Sequence, residues 1–412
     1  MGRVPRGILL DSVTVKALLL ENIHQSAVQA LEAFGMDVRH EKGAMDEEEL
    51  IAALDGVDLL GIRSKTQVTR RILEARPDLM AVGAFCIGTN QIDLKAATDT
   101  ATAVFNAPYS NTRSVVELAI AEIIGMARHL TDRSSELHRG EWKKSAKGSH
   151  EIRGRKLGIV GYGNIGSQLS VIAEAMGMQV YFYDIADRLA LGNAHKCSSL
   201  QQLLETAEVV SLHVDGREEN VNLFGAEEFA MMRDRALFLN LCRGFVVDLD
   251  ALRDNLLSGH IAGAAVDVFP EEPKKNGEPF TSVLQGIPNV ILTPHVGGST
   301  QEAQEDIGHF VSGKLLDYVR SGSTNMSVNM PELHLDSHVD HARLLHLHKN
   351  VPGVLAKVNG VLGEHGVNIE RQQLSTRGEL GYVVTDTLTA LDRDLIEALL
   401  DMPETIRLAT IG

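Results

Sequence analysis

Cysteine and aromatic residues are scarce in this 412-residue chain, which has three cysteines, one tryptophan and an aromatic content of 4%. Cys86, Cys197 and Cys242 are odd in number and far apart, so we expect neither a disulfide framework nor a metal site, and we expect a reducing compartment, the cytoplasm. No run of about 18 apolar residues occurs, so no membrane span is expected. The N-terminal stretch around Arg3 and Arg6 has no apolar core, and we expect no signal peptide.

Basic residues are in the minority. Lys and Arg total 39 against 55 Asp and Glu, which gives a formal net charge of −16. A chain this acidic is a poor partner for nucleic acid or for an anionic membrane, and neither is expected. An anionic ligand would therefore need a local concentration of positive charge. The length indicates two or three domains, and a hydrophobic content of 44% suffices for sizeable cores.

Short apolar runs alternate with helical segments through most of the chain, which predicts an α/β protein with parallel, doubly wound sheets. One series occupies residues 15–85, and a second begins with K-L-G-I-V-G at 156–161. Between them, a helix is predicted over 114–130 and a polar loop over 131–155. A further helix over 301–320 leads to a small, polar segment, 321–332, interpreted as a linker. The remaining residues follow a β-α-β-β-α-β order, which is typical of ferredoxin-like domains.

The strongest functional motif is a glycine-rich turn between a strand and a helix. Gly161, Gly163 and Gly166 form G-Y-G-N-I-G after the apolar run L-G-I-V. Such glycines permit a tight turn, close approach of a pyrophosphate and close packing of helix on strand, while the helix N-terminus attracts phosphate. The pattern predicts a dinucleotide site that also includes Asn164 and Ile165.

Asp184 indicates which dinucleotide binds. It ends the run Q-V-Y-F-Y-D, 18 residues after Gly166. A carboxylate at this point accepts hydrogen bonds from ribose hydroxyls and repels a 2′-phosphate, which favours NAD over NADP. The alternative is a plain glycine turn with a solvated aspartate, but strand, helix and acid occur together here.

Three ionisable residues follow strands in the same half of the chain. Arg243 follows L-F-L-N-L-C, Glu272 comes shortly after A-A-V-D-V-F-P, and His295 follows N-V-I-L-T-P. Because ligands bind at the carboxyl edge of a parallel sheet, we expect these side chains to meet there. Arginine can clamp a carboxylate, histidine can exchange a hydroxyl proton, and a glutamate can favour the imidazolium. Together they suit oxidation of a 2-hydroxy acid, although each residue alone could be an ordinary loop residue.

Longer motifs point to a family. Seven segments carry them: G-I-R-S-K-T at 61, F-C-I-G-T-N-Q-I-D at 85, V-F-N-A-P-Y-S-N-T-R-S-V at 104, G-Y-G-N-I-G at 161, L-C-R-G-F-V-V-D at 241, A-V-D-V-F-P-E-E-P at 265 and T-P-H-V-G-G-S-T-Q-E-A-Q at 293. With these motifs, nearly the whole chain resembles the D-2-hydroxyacid dehydrogenase family, in a form with a C-terminal ACT domain. Phe245 and Asp215 depart from the pattern of the family, where a small residue and a proline are usual.

The resemblance implies catalytic roles for Arg243, Glu272 and His295. It also implies a discontinuous flavodoxin-like substrate domain over 1–110 and 298–335, a Rossmann NAD domain over 111–297 and an ACT regulatory domain over 338–412. The expected cofactor contacts extend to five further positions, which are Leu241, Cys242, Asp267, Gly297 and Gly298.

A phosphorylated substrate would need a second anion site beyond Arg243. Arg63, Ser64 and Lys65 follow a strand of the first domain, and by resemblance this segment and Asn111 line that site. The resemblance then implies oxidation of D-3-phosphoglycerate to 3-phosphohydroxypyruvate with NAD, the first step of L-serine biosynthesis. Reduction of 2-oxoglutarate is left open by these residues. Solvated surface cations are the alternative interpretation.

The tail resembles ACT domains in which serine bridges two copies and is held by a histidine and two asparagines. Those positions correspond to His348, Asn350 and Asn368. The resemblance therefore implies L-serine as an inhibitor and a homo-oligomer, a tetramer, as the assembly. Ordinary turn and strand roles for the three residues are the alternative.

Two other functions remain open at this point. Another D-2-hydroxyacid dehydrogenase or a glyoxylate reductase would use the same three catalytic residues. A non-enzymatic, NAD-sensing protein of the corepressor type could retain them without turnover. Arg63, Lys65 and the ACT-like tail favour the phosphorylated substrate.

Overall fold

The computed structural model describes residues 7–9, 14–273, 277–336 and 342–411. The chain divides into two units, residues 1–110 with 304–412 and residues 111–303. The first unit contains two sheets and the second contains one.

The chain begins with β1 (Gly7–Leu9), which belongs to the C-terminal sheet described below. The N-terminal part of the first unit is then a five-stranded parallel sheet with helices between its strands. Its elements are β2 (Lys16–Leu19), α1 (Gln25–Ala33), β3 (Asp37–His40), α2 (Glu47–Ala53), β4 (Leu59–Ile62), α3 (Arg70–Ala75), β5 (Ala81–Ala84), α4 (Leu94–Asp99) and β6 (Ala103–Asn106). The strand order is β3-β2-β4-β5-β6, which is the flavodoxin-like order. Asp46, Thr69 and Asp93 cap helices α2, α3 and α4 by accepting backbone N–H groups, so polar residues fix where these helices begin.

The second unit is built on a seven-stranded sheet. Its elements are α5 (Thr112–Ala127), α6 (Leu130–His138), β7 (Lys156–Val160), α7 (Asn164–Ala175), β8 (Gln179–Tyr183), β9 (His195–Lys196), α8 (Leu200–Thr206), β10 (Val209–Leu212), α9 (Ala226–Met231), β11 (Ala236–Asn240), α10 (Leu249–Ser258), β12 (Ile261–Val266) and β13 (Val290–Leu292). The strand order is β13-β12-β11-β10-β7-β8-β9, and all the strands are parallel. The strands β8 and β9 extend the sheet on one side of β7 and β10 to β13 extend it on the other, so the strand order reverses between β7 and β10. In the Rossmann arrangement, ligands bind at this reversal, beyond the carboxyl ends of the strands.

The C-terminal part of the first unit follows a long helix. Its elements are α11 (Gln301–Ser321), β14 (Ala342–Lys349), α12 (Val354–Glu364), β15 (Ile369–Arg377), β16 (Leu380–Thr387), α13 (Arg393–Leu400) and β17 (Thr405–Ile411). The sheet order is β1-β17-β14-β16-β15, a ferredoxin-like sheet to which β1 adds a parallel strand. Alternate residues of β14 serve two cores: Leu344 packs under α12 and α13, whereas Leu345 and Leu347 pack with α1 and α11.

The interpretation of 321–332 as a linker is wrong. Ser323, Thr324 and Asn329 are all nearly inaccessible to solvent. Asn329 Oδ1 accepts the N–H of Val104 and its Nδ2 donates to Thr102 O, so hydrogen bonds hold the segment along β6. Asn329 can be buried because backbone groups distant in sequence satisfy it, whereas Ser323 and Thr324 donate to the nearby carbonyl groups of Leu333 and Pro331.

The polar loop predicted over 131–155 also needs correction, because α6 occupies its first third. None of the residues of α6 is buried. The helix therefore packs no apolar face against the described part of the chain, and the hydrophobic periodicity of a buried helix face is missing from its sequence.

The predicted fold class is confirmed: two doubly wound parallel sheets and a smaller βαββαβ domain are present. Among the helices of the described ranges, none has the length and apolar character that crossing a membrane requires.

Candidate active site

The glycine-rich turn lies between β7 and α7, at the reversal in strand order. Gly161 has φ +92°, and a Cβ there would lie 2.5 Å from His213 O. A Cβ on Gly166 would lie 2.2 Å from Gly161 O, so both positions require glycine. The space beside Gly163 is open, and no side chain of the described residues caps α7 there. The first N–H groups of the helix can therefore receive a pyrophosphate.

Asp184 follows β8 and is firmly held. Tyr162 N donates to Asp184 Oδ2 at 2.7 Å, and Ala186 N donates to Oδ1 at 2.8 Å. Each carboxylate oxygen can accept a second hydrogen bond, so the residue can still bind ribose hydroxyls. Arg188 Nε lies 3.7 Å from Asp184 Oδ2. Arg188 is thus a potential partner for a 2′-phosphate, but the carboxylate of Asp184 balances its positive charge.

His295 and Glu272 form a hydrogen-bonded pair after β13 and β12. His295 Nδ1 lies 2.9 Å from Glu272 Oε2, and Phe269 N donates to Oε1. The bond to Glu272 raises the pKa of His295 above its usual 6.5, although burial acts the other way. Burial acts to raise the pKa of Glu272, but the bonds from His295 and from Phe269 N outweigh it, and the net shift is downward. With Nδ1 facing Glu272, Nε2 is the nitrogen left to meet a substrate.

A single carboxylate organises the loop that carries His295. Asp267 is 1% exposed and accepts hydrogen bonds from Thr293 Oγ1, Val296 N and Gly297 N. Its carbonyl also accepts the N–H of His295, whose φ of +54° is unusual for a residue with a side chain. Asp267, directly after the neighbouring strand β12, thereby holds the strained turn at His295 in place.

Arg243 follows β11, the strand next to β12. Its Nη1 donates to Cys242 O at 2.7 Å. Gly244 packs so closely on Phe269 that a Cβ would lie 1.9 Å from the Phe269 carbonyl carbon. The loop of Arg243 is therefore pressed against the loop of Glu272, and the positive charge of Arg243 contributes to lowering the pKa of Glu272. A guanidinium, a carboxylate and an imidazole are brought to one edge of the sheet.

The other predicted cofactor positions lie around this edge. Leu241 and Cys242 are buried, and burial raises the pKa of the Cys242 thiol to about 11. Both side chains therefore pack, and only their backbone could face a cofactor. A Cβ on Gly298 would lie 2.1 Å from Asn111 Nδ2, so Gly298 and Asn111 touch within the second unit.

The predicted phosphate-binding segment belongs to the first unit, directly after β4. Arg63 is half-buried, and Ser64 and Lys65 are exposed. The backbone N–H groups of Arg63, Lys65 and Thr66 donate to the carboxylate of Glu21, at the end of β2. Sequence reasoning missed Glu21, because a single glutamate after a strand carries no recognisable motif.

A second residue that sequence reasoning missed is Glu122, on α5. It is 3% exposed, and neither carboxylate oxygen has a hydrogen-bond partner among the described residues. Burial, followed by the negative charge of Asp267, raises its pKa to about 8. Nothing in the helical pattern distinguishes it from the solvated Glu117.

The predicted effector residues are not brought together in one chain. His348 pairs with Gly381 of β16, which in turn pairs with Thr376 near the end of β15. Asn368 precedes the other end of β15, roughly 25 Å away along the strand. Asn350 Nδ2 donates to Gly378 O beside His348, and Nε2 of the buried His348 has no partner among the described residues.

Comparison with known proteins agrees with this geometry. Residues 120–297 match the family described as D-isomer specific 2-hydroxyacid dehydrogenase, NAD binding domain, and residues 344–407 match the AHAS small subunit-like ACT domain. A D-3-phosphoglycerate dehydrogenase of Haemophilus influenzae is 49% identical, over 97% of this chain and 98% of the relative. That of Escherichia coli K12 is 48% identical over the same shares.

The crystal structure of D-lactate dehydrogenase from Aquifex aeolicus, complexed with NAD and lactic acid, has the same fold. Its TM-score is 0.67 at 24% identity, over 77% of this chain and 100% of that one. The class defined by fold and site is therefore that of the NAD-dependent dehydrogenases of D-2-hydroxy acids. Within that class, the chain belongs to the family of D-3-phosphoglycerate dehydrogenases.

Proposed function

We propose that the chain oxidises D-3-phosphoglycerate to 3-phosphohydroxypyruvate, that L-serine inhibits it, and that it works as a homotetramer in the cytoplasm. The observation that carries the catalytic part is the His295–Glu272 pair beside Arg243, on the sheet that holds the glycine-rich turn. The small number and wide spacing of the cysteines, Cys86, Cys197 and Cys242, suit a reducing compartment.

The residues have distinct tasks in this reaction. The guanidinium of Arg243 holds the substrate carboxylate through charge-assisted hydrogen bonds. Nε2 of neutral His295 removes the hydroxyl proton, and the carboxylate of Glu272 stabilises the resulting imidazolium through Nδ1. NAD, when bound at the glycine-rich turn, accepts the hydride from the carbinol carbon. In the reverse direction, the same imidazolium returns the proton to the carbonyl oxygen.

Arg63 and Lys65 support a phosphorylated substrate. They present two cationic side chains after β4, the kind of local positive charge that an acidic chain needs to attract a phosphate. A substrate panel with NAD tests this: D-3-phosphoglycerate, D-glycerate, D-lactate and glycolate, with NADH formation as the readout. We expect D-3-phosphoglycerate to have the highest kcat/KM. Comparable values for the unphosphorylated acids would point to another dehydrogenase, and no turnover of any acid would point to a NAD-sensing protein.

The separation of His348 from Asn368 supports a serine site between two copies. Among the described strands, β15 pairs on one side only, with β16. Antiparallel pairing of two β15 edges about a two-fold axis would carry Asn368 of a second copy towards His348 and Asn350. A serine carboxylate needs donors and its ammonium needs acceptors, which a histidine and two amides can supply. L-serine should inhibit turnover, and L-alanine, which lacks the hydroxyl, should do so much more weakly.

The surface of α6 supports further self-association. Leu130 and Leu137 on this helix, and Trp142 beyond it, are all exposed apolar residues. Apolar side chains that are exposed together, on a helix none of whose residues is buried, are typical of an interface. Light scattering should give a mass of four times 44.8 kDa, and a monomeric mass would contradict this part of the proposal.

A further inference from the structure

Glu21 makes an unusual set of contacts with the segment that carries Arg63 and Lys65. Its Oε1 accepts the N–H of Arg63 at 3.2 Å and that of Thr66 at 2.8 Å, and its Oε2 accepts the N–H of Lys65 at 3.0 Å. Three of the four backbone N–H groups of residues 63–66 therefore converge on one carboxylate. Glu21 is also buried, with 8% of its surface exposed.

The position of Glu21 explains how it reaches this loop. It follows β2, and residues 63–66 follow β4, the parallel strand paired with β2. Glu21 and Asn22 have φ values of +60° and +53°, a conformation that residues with a side chain rarely adopt. Two such residues in succession, at the carboxyl edge of a parallel sheet, indicate a turn that is maintained for a purpose other than stability.

The opposite face of the same loop is held as well. Gln91 Nε2 donates to Arg63 O at 2.6 Å, and Gln91 is 8% exposed. The N–H groups of the loop are thus fixed by Glu21 and a carbonyl group by Gln91. Because Glu21 and Gln91 hold the backbone of the loop, the conformations of the Arg63 and Lys65 side chains are the main features of the loop that can still change.

These contacts determine how the loop can bind an anion. Converging backbone N–H groups form a concave anion site, the arrangement by which many loops hold phosphate. Here the carboxylate of Glu21 already occupies that position. A substrate phosphate must therefore be held by the side chains of Arg63 and Lys65 rather than by the backbone of the loop.

We propose that Glu21 is a positioning residue for the substrate phosphate: its carboxylate fixes the backbone of residues 63–66 so that Arg63 and Lys65 present their charges together. This inference rests on the proposed function, because it assumes that these two side chains bind the phosphate.

The test compares a phosphorylated with an unphosphorylated substrate. For each variant, kcat/KM is measured with NADH for 3-phosphohydroxypyruvate and for hydroxypyruvate, and the ratio of the two is the readout. In Glu21→Gln, an amide NH₂ replaces one acceptor oxygen and faces a backbone N–H. We expect the ratio to fall about tenfold, through a higher KM for the phosphorylated substrate with kcat nearly unchanged.

Asp58→Asn is the matched control. Asp58 Oδ2 accepts the N–H of Lys16 at 2.8 Å, so it holds the amino ends of β2 and β4 as Glu21 holds their carboxyl ends. Asp58→Asn makes the same carboxylate-to-amide change at the opposite end of the same strand pair, and it should leave the ratio unchanged. A ratio that falls equally in both variants would show that Glu21 acts only through general stability, and the inference would be wrong.

Arg63→Ala separates failure of the inference from failure of the proposed function. Loss of a phosphate-binding guanidinium should lower the ratio by about a hundredfold. If it does so while Glu21→Gln behaves like Asp58→Asn, the inference is wrong and the phosphate site stands. If Arg63→Ala leaves the ratio unchanged, the phosphate site itself is wrong, and the inference is overturned with it. Should Glu21→Gln not fold, Glu21→Asp carries the test: the shorter carboxylate cannot reach all three N–H groups, and an unchanged ratio in this variant overturns the inference.

Discussion

His295 and Glu272 meet within one unit of a single chain, with Nδ1 and Oε2 2.9 Å apart, whereas His348 and Asn368 lie at opposite edges of one antiparallel sheet. The first two follow neighbouring parallel strands, whose carboxyl ends all lie at one edge of the sheet. The other two belong to β14 and β15, which run in the same direction on either side of the antiparallel β16. His348 lies near the end of β14 and Asn368 precedes the start of β15, so the two residues lie at opposite edges of the sheet.

This difference explains how each site can be completed. Parallel topology collects loops at one edge, so catalytic groups from distant parts of a chain converge without a partner. An antiparallel sheet does not collect them, but among the described strands β15 is paired on one side only. A two-fold axis at that edge, perpendicular to the strand, would reverse the second copy and bring its Asn368 towards the end of the sheet that carries His348. Proton transfer is therefore expected to be a property of one chain, and effector binding a property of two.

The largest expected effect comes from removing the base of the single-chain site. His295→Ala should lower kcat by about two to four orders of magnitude, since general acid–base transfer contributes that much, while the Kd for NAD stays nearly unchanged. Steady-state rates and NADH binding measure this, with His309→Ala, an exposed histidine of α11, as the control. A folded His295→Ala enzyme with normal turnover would remove His295 from the mechanism.

A second effect concerns stability in the same unit. Because the folded pKa of Glu122 is raised from 4.5 to about 8, this residue lowers stability progressively as the pH rises through that window. Glu122→Gln stays neutral, so it should be more stable than the wild type at pH 8, by at most about 4–5 kcal/mol, and similar to it below pH 4.5. Urea unfolding at several pH values checks this. Glu117→Gln, on the same helix but exposed, should show no such dependence.

The choice of cofactor should change more modestly. Asp184→Ala removes the charge that balances Arg188, so the ratio of kcat/KM for NADP over NAD should rise about tenfold. Adding Arg188→Ala to that variant should reverse the gain. A wild-type enzyme that already preferred NADP would show that Asp184 has been assigned the wrong role.

The smallest shift is expected for the partner of His295. Glu272→Gln removes the bond that raises the pKa of His295, so the imidazole becomes neutral at lower pH. The acidic limb of the oxidation profile should then move to lower pH. The pH dependence of kcat/KM measures this, with Glu271→Gln as the control. An unchanged limb would mean that Glu272 does not tune His295.

Much of the fold and of the catalytic edge could be predicted from the sequence, because the signals are local. Buried parallel strands are continuous apolar runs, and Arg243, Glu272 and His295 each follow one of them. Gly161 and Gly166 are required by a turn of fixed geometry. Each of these features can be recognised within about ten residues of chain.

The features that could not be predicted depend on contacts distant in sequence. Ser327 and Asn329 look like linker residues until the carbonyl groups of Val104 and Thr102 are placed beside them. Helix α6 buries none of its residues against the described part of the chain, and Glu21 is recognisable only once β2 and β4 are adjacent. Local periodicity carries no information about such partners.

Mixed oligomers test the central claim most directly, namely that proton transfer is complete in one chain and serine binding requires two. Chains carrying His348→Ala and chains carrying Asn368→Ala, each with a different affinity tag, are co-expressed, and the mixed species is isolated through both tags. Each parent should turn over normally and resist L-serine. Each interface between two different chains contains two sites, of which one keeps both His348 and Asn368, so the mixed species should regain inhibition. A mixed species as resistant as its parents, or a His348→Ala enzyme still inhibited by serine, would contradict the account.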